Sequence, residues 1–108
     1  MEKKDIDWGN LGFGYIKTDY RYVSYYKDGK WEDGEITTDD KVVLNECAGV
    51  LQYAQTVFEG LKAYTTEDGR IVTFRPDLNA ERINQSAARL EIPTLPEGKF
   101  IDAVEKTT

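Results

Sequence analysis

Three Asp-Gly dipeptides, Asp28-Gly29, Asp33-Gly34 and Asp68-Gly69, punctuate the first two thirds of the chain, and none occurs after Pro76. Glycine accepts the positive φ of the primed turns, so each dipeptide marks a place where a strand can reverse. Strands joined this tightly pair antiparallel, because parallel pairing needs a long crossover. The flanks agree. Tyr20–Tyr26 is dense in aromatic and β-branched residues, and Trp31 opens a return strand after Lys27-Asp28-Gly29-Lys30. Asp33-Gly34 is placed to bulge or end that strand before Glu35-Ile36-Thr37. Lys41–Asn45 reads as a further short strand. Phe58–Tyr64 reads as another, with Gly60 marking a bulge or a close approach, and Glu67-Asp68-Gly69 turns it into Arg70–Phe74. Residues 46–57 fit helix and strand equally.

After Arg75-Pro76 the period changes. Leu78, Ile83, Ala87 and Leu90 fall on one helical stripe, with Asp77 or Asn79 able to cap it and Pro93 and Pro96 to end it. Glu97–Thr108 reads as a second helix with Phe100, Ile101 and Val104 on one face. Hairpins first and helices after imply an α+β class: a small domain with an antiparallel sheet built from hairpins, followed by two helices. Residues 1–19, with Gly9-Asn10-Leu11-Gly12-Phe13-Gly14, read as a loop-rich lead, and residues 20–108 as the domain. The last helix has no stop signal, so the sequence reads as the front of a longer protein.

Composition narrows the chemistry. The 108 residues hold no histidine and one cysteine, Cys47, which removes Ser-His and Cys-His hydrolysis and any cysteine cluster for a metal. Cys47 reads as a small buried hydrophobe in a reducing, cytoplasmic setting. With 14 Lys+Arg against 20 Asp+Glu the net charge is −6, which disfavours nucleic acid and anionic membranes as partners. Asp39-Asp40 lacks the spacing of a calcium loop and reads as a solvated acidic turn. Gly12-Phe13-Gly14 lacks the third glycine and the helix of a dinucleotide fingerprint.

Among side chains able to do chemistry, Arg82 borders the apolar stripe of the first predicted helix. A guanidinium there can hold a phosphate or simply cover the core edge, and Arg75 and Arg89 qualify on the same grounds. Phe13, Tyr53, Phe58 and Tyr64 can line an apolar pocket or fill the core. Glu59 and Lys62 read as an exposed pair on a strand.

Two blocks break these ties. Val50–Tyr64, containing Val57-Phe58-Glu59-Gly60-Leu61-Lys62-Ala63-Tyr64, and Phe74-Arg75-Pro76-Asp77-Leu78-Asn79-Ala80-Glu81-Arg82-Ile83, continued by Ser86–Leu90, resemble the N-terminal domain of branched-chain amino acid aminotransferases. So do Leu11–Gly14 and Thr18-Asp19. The resemblance implies a pyridoxal-phosphate enzyme of the class IV aminotransferase fold, a small α+β domain preceding a larger one. It implies amino transfer between leucine, isoleucine or valine and 2-oxoglutarate, with glutamate as a product, in a homodimer or larger homo-oligomer. It assigns Arg82 to the cofactor phosphate and Phe13, Tyr53 and Phe58 to the substrate site. No role follows for Lys62. The family's cofactor-bound lysine falls beyond residue 108, so the resemblance implies no catalytic residue in this chain and no activity for it alone. Leu51-Gln52-Tyr53-Ala54 stands where the family usually has Leu-His-Tyr-Gly, and Tyr20 where a histidine is common. Two other readings fit the residues: a class IV aminotransferase or lyase for another amino acid, and a stand-alone, non-catalytic binding module.

Overall fold

The computed structural model describes residues 14–108 together with Gly9 and Gly12. Phe13 and most of the glycine-rich lead lie outside the described residues.

The Tyr20–Tyr26 run makes two short strands, β1 (Arg21–Val23) and β2 (Tyr26–Lys27). β2 reverses through Asp28-Gly29 into β3 (Lys30–Trp31), and β1 pairs antiparallel with β4 (Glu35–Thr37). Asp28 (φ +53°) and Gly29 (φ +78°) both occupy the left-handed region that a two-residue primed turn requires. The inner pairing sets Tyr26 opposite Trp31 and the outer one sets Val23 opposite Glu35. Ser24 and Tyr25 therefore face Glu32, Asp33 and Gly34, and the return strand bulges at the second Asp-Gly. The Glu32 N–H to Tyr25 O bond (2.8 Å) and the Ser24 Oγ to Glu32 O bond (2.7 Å) bridge the break. Gly34 also makes room for an aromatic ring, since a Cβ there would lie 2.0 Å from Tyr22.

A second hairpin joins β5 (Ala63–Thr65) to β6 (Ile71–Thr73), with Gly69 at φ +85° closing its loop. The strand expected over Phe58–Tyr64 thus begins only at Ala63. Continued backward in register, Lys62 would need Phe74 as its partner and Leu61 would need Arg75, but Arg75 turns left-handed (φ +46°) and a helix starts at Pro76. Gly60 accordingly sits in no bulge. Lys41–Asn45 also forms no strand, and Val42, Val43 and Leu44 are exposed. Within the undecided stretch 46–57, one short helix forms, α1 (Gly49–Tyr53).

The long helix α2 (Pro76–Arg89) has Arg75 at its N-cap and Pro76 in its first turn. Neither Asp77 nor Asn79 caps it. Asp77 instead takes a two-pronged pair from Arg75 (2.8 and 3.0 Å), and Asn79 is used elsewhere. The end of α2 is set before the prolines. Glu91 turns left-handed (φ +57°), and the Ile92 N–H reaches back to Ala87 O at 2.9 Å, a Schellman closure in which glutamate stands where glycine is usual. Helix α3 (Glu97–Thr107) follows, packed on α2 and on β1.

Ala80 and Ala87, two turns apart on one face of α2, are the buried residues among those described, while Leu78 and Leu90 of the expected stripe stay exposed. The chain presents 9075 Å² to solvent, against roughly 6,100 Å² for a compact monomer of this mass. What joins the parts is the loop between α2 and α3. Asn84 clamps Leu95 from both sides, Trp31 Nε1 donates to Thr94 O (2.9 Å), and Gln55 Nε2 donates to Leu90 O (2.9 Å). The antiparallel hairpins followed by helices make the α+β small domain that the sequence implies.

Candidate functional site

Arg82 lies two turns into α2, with Asn79 one turn before it on the same face. Both reach Glu59 in the irregular segment ahead of β5. Arg82 Nε donates to Glu59 Oε2 at 2.7 Å and Nη2 donates to Oε1. Asn79 Nδ2 donates to the same Oε1 (2.9 Å) and to the Gly60 carbonyl (3.0 Å), and the Gly60 N–H reaches Oε1 at 3.2 Å. Four N–H groups therefore converge on one carboxylate. The Glu59 side chain is 4% exposed and that of Arg82 is 67% exposed. The carboxylate is inside, and the guanidinium keeps three of its five N–H donors unengaged among the described residues.

This overturns the reading of Glu59 as the exposed partner of Lys62. The side chain turns inward to α2, because a guanidinium and an amide on consecutive turns offer it more than one solvated ammonium does. It also separates the three arginines. Arg75 is engaged with Asp77, and only Arg82 is locked by a group from another segment.

The hydrogen bonds from Arg82 hold the Glu59 carboxyl down to a pKa of about 2 against the desolvation that would raise it; Asn79, the charge of Arg82 and the Gly60 N–H add to the lowering. The same pair raises the pKa of Arg82. A carboxyl whose folded value lies below its ordinary 4.5 leaves the folded state with fewer protons than the unfolded one. Its stabilisation is therefore complete above that ordinary value and is lost as pH falls toward about 2. Denaturation midpoints of the full-length protein should drop across this acid window, and Glu59→Gln should flatten that part of the profile. Equal acid slopes in the two proteins would show that the pair contributes nothing.

Tyr53 ends α1 and is 87% exposed, and Phe58, beside Glu59, is 89% exposed. Neither is core, and Tyr64 is exposed as well. Phe58 precedes Glu59, the partner of Arg82. A shallow polar depression lies on the β1–β4 pair beside Arg21, Glu35 and Lys41. Phe13, the remaining expected site residue, lies outside the described residues. Cys47 is exposed rather than buried. Asp40 is occupied by Tyr15, Lys17 and Lys41, and no cluster of three or more metal-ligating side chains occurs among the described residues. Glu59 and Asn79 are the residues that sequence reasoning missed. The spacing Asn79-x-x-Arg82 was the available signal, because it places two donors on one helix face.

No family model matches the chain. Curated relatives do. The chain is 50% identical over 103 residues to a branched-chain-amino-acid aminotransferase of Haemophilus influenzae, covering 95% of this chain and 30% of the relative. It is 45% identical over 100 residues to the enzyme of that name from Helicobacter pylori, covering 93% and 29%. It is 43% identical over 103 residues to a methionine aminotransferase of Arabidopsis thaliana, covering 94% and 29%. The chain thus spans less than a third of the length of these relatives. Across nearly all of its own length it is a homologue of the N-terminal part of the branched-chain amino acid aminotransferases.

Proposed function

We propose that the protein is a pyridoxal-phosphate-dependent branched-chain amino acid aminotransferase and that this chain is its small N-terminal domain. The observation that carries the reading is the 50% identity over 95% of the chain to an aminotransferase of that name. The local chemistry fits a phosphorylated cofactor. Arg82 offers a planar, permanently charged fork whose free donors match a phosphate, and its other edge is fixed by Glu59. When bound, the cofactor supplies the electron sink for breaking the substrate Cα–H bond. Arg82 would hold the phosphate end of the cofactor. Tyr53 and Phe58, with Phe13, offer aromatic surface to an aliphatic side chain, at about 25 cal/mol per Å² buried. In this reading the working protein is a homodimer or larger.

The methionine aminotransferase among the relatives favours a second reading, in which an unbranched aliphatic amino acid is the donor. One experiment addresses both. Full-length protein with cofactor and 2-oxoglutarate should form glutamate from leucine, isoleucine and valine faster than from methionine. Faster turnover of methionine would select the second reading, and no glutamate from any of the four would reject both. Residues 1–108 alone should give none.

A further inference from the structure

We propose that Glu59 is a positioning residue for the cofactor phosphate: it fixes one edge of the Arg82 guanidinium so that the opposite edge is presented, already oriented, to the anion. The inference rests on the reading of Arg82 as the phosphate ligand and goes beyond it, since Glu59 itself touches no part of the cofactor in this account. Three features carry it. Arg82 is 67% exposed, and an unheld arginine at such a place samples many rotamers, so binding an anion would require ordering it. Glu59 is 4% exposed and is held independently of Arg82, by Asn79 Nδ2 (2.9 Å) and the Gly60 N–H (3.2 Å), so it is a fixed point rather than a floating partner. The contact uses Nε and Nη2, which leaves both Nη1 hydrogens and the second Nη2 hydrogen for a second two-pronged contact along the adjacent edge.

A carboxylate near a phosphate also has an electrostatic cost, and the two effects predict opposite results. If orientation dominates, removing the Glu59 charge weakens phosphate binding. If repulsion dominates, it tightens it. A contact that merely docks residues 59–60 on α2 would alter binding of phosphorylated and unphosphorylated cofactor alike.

The test titrates full-length apo-protein with pyridoxal phosphate and, separately, with pyridoxal, following absorbance. Glu59→Gln keeps size and one acceptor but turns an N–H toward Arg82. It should weaken pyridoxal phosphate by about 10- to 100-fold, the range of one charge-assisted hydrogen bond, and leave pyridoxal unchanged. An equal loss for both ligands, no loss, or tighter pyridoxal phosphate would overturn the proposal. Arg82→Lys tests the underlying reading separately. If the preference for the phosphorylated form survives Arg82→Lys intact, Arg82 is not the phosphate ligand, whatever Glu59→Gln does. Should Glu59→Gln fail to fold, Asn79→Ala takes its place. It keeps the Glu59–Arg82 pair but removes the anchor behind it. It should weaken pyridoxal phosphate severalfold and pyridoxal not at all, and any other pattern counts against the proposal.

Discussion

Arg82→Ala in the full-length protein should weaken pyridoxal phosphate binding by about 100- to 10,000-fold, the scale of two lost charge-assisted hydrogen bonds, and lower stability as well. The double variant Glu59→Gln/Arg82→Ala should recover most of the stability and none of the affinity. The two losses have different origins. Affinity is lost because the exposed edge of the guanidinium is gone, and nothing done to Glu59 can replace it. Stability is lost because Glu59, 4% exposed, keeps its charge without its strongest partner. Removing one member of a desolvated pair costs more than removing both. Without Arg82 the Glu59 pKa should rise from about 2, so the stability deficit of the single variant should shrink as the solution is acidified. Binding titrations and denaturation midpoints on the four proteins of the cycle check both halves. A double variant that binds the cofactor like wild type would place the phosphate grip elsewhere.

That pair also marks the limit of what the residues disclose on their own. Where a signal is local, sequence and structure agree. Asp28-Gly29 turns because two adjacent residues must take positive φ, and Asp33-Gly34 bulges because the pairing counts on its two sides differ by one. The helix α2 itself is legible for the same reason, although it buries Ala80 and Ala87 rather than Leu78 and Leu90. Where a signal depends on a partner, it was not legible. Val42, Val43 and Leu44 have strand propensity, but a strand also needs a paired neighbour, and they pair with none of the described two-stranded sheets. Leu61 and Lys62 lose their strand because Arg75 turns left-handed thirteen or fourteen residues later, at a position where nothing in the side chain favours that conformation. Glu59 meets Arg82 across a separation of 23 residues, and at the level of sequence Lys62 was an equally good partner. Of the candidate site, the identity of Arg82 came from the resemblance, its orientation from the structure, and the exposure of Tyr53 and Phe58 from neither composition nor periodicity.

Asn84→Ala should lower the stability of the small domain by about 2 kcal/mol and speed hydrogen exchange at the Leu95 amide by about 30-fold. Asn84 Nδ2 donates to Leu95 O at 2.6 Å and Oδ1 accepts from the Leu95 N–H at 2.8 Å, so one side chain satisfies both backbone groups of a half-buried residue. Alanine leaves both unmatched, and a part-buried N–H and C=O without partners cost more than the net worth of the bonds they made. The position matters beyond its own bonds. The same loop receives Trp31 from the first hairpin and Gln55 from the segment leading to Phe58 and Glu59, while α3 beyond it packs on β1. With only alanines buried along α2, these polar ties replace much of what a larger apolar core would do. Loosening the loop should therefore also raise exchange at Gln55 and its neighbours, some 35 residues away in sequence. Asn84→Asp separates the two bonds. It retains the acceptor for the Leu95 N–H and sets a carboxylate against Leu95 O, so amide protection at Leu95 should survive in part while stability still falls. Unchanged exchange at Leu95 in Asn84→Ala would mean that the loop is held without the clamp, and that the hairpin, the Phe58–Glu59 segment and the two helices are joined by packing instead.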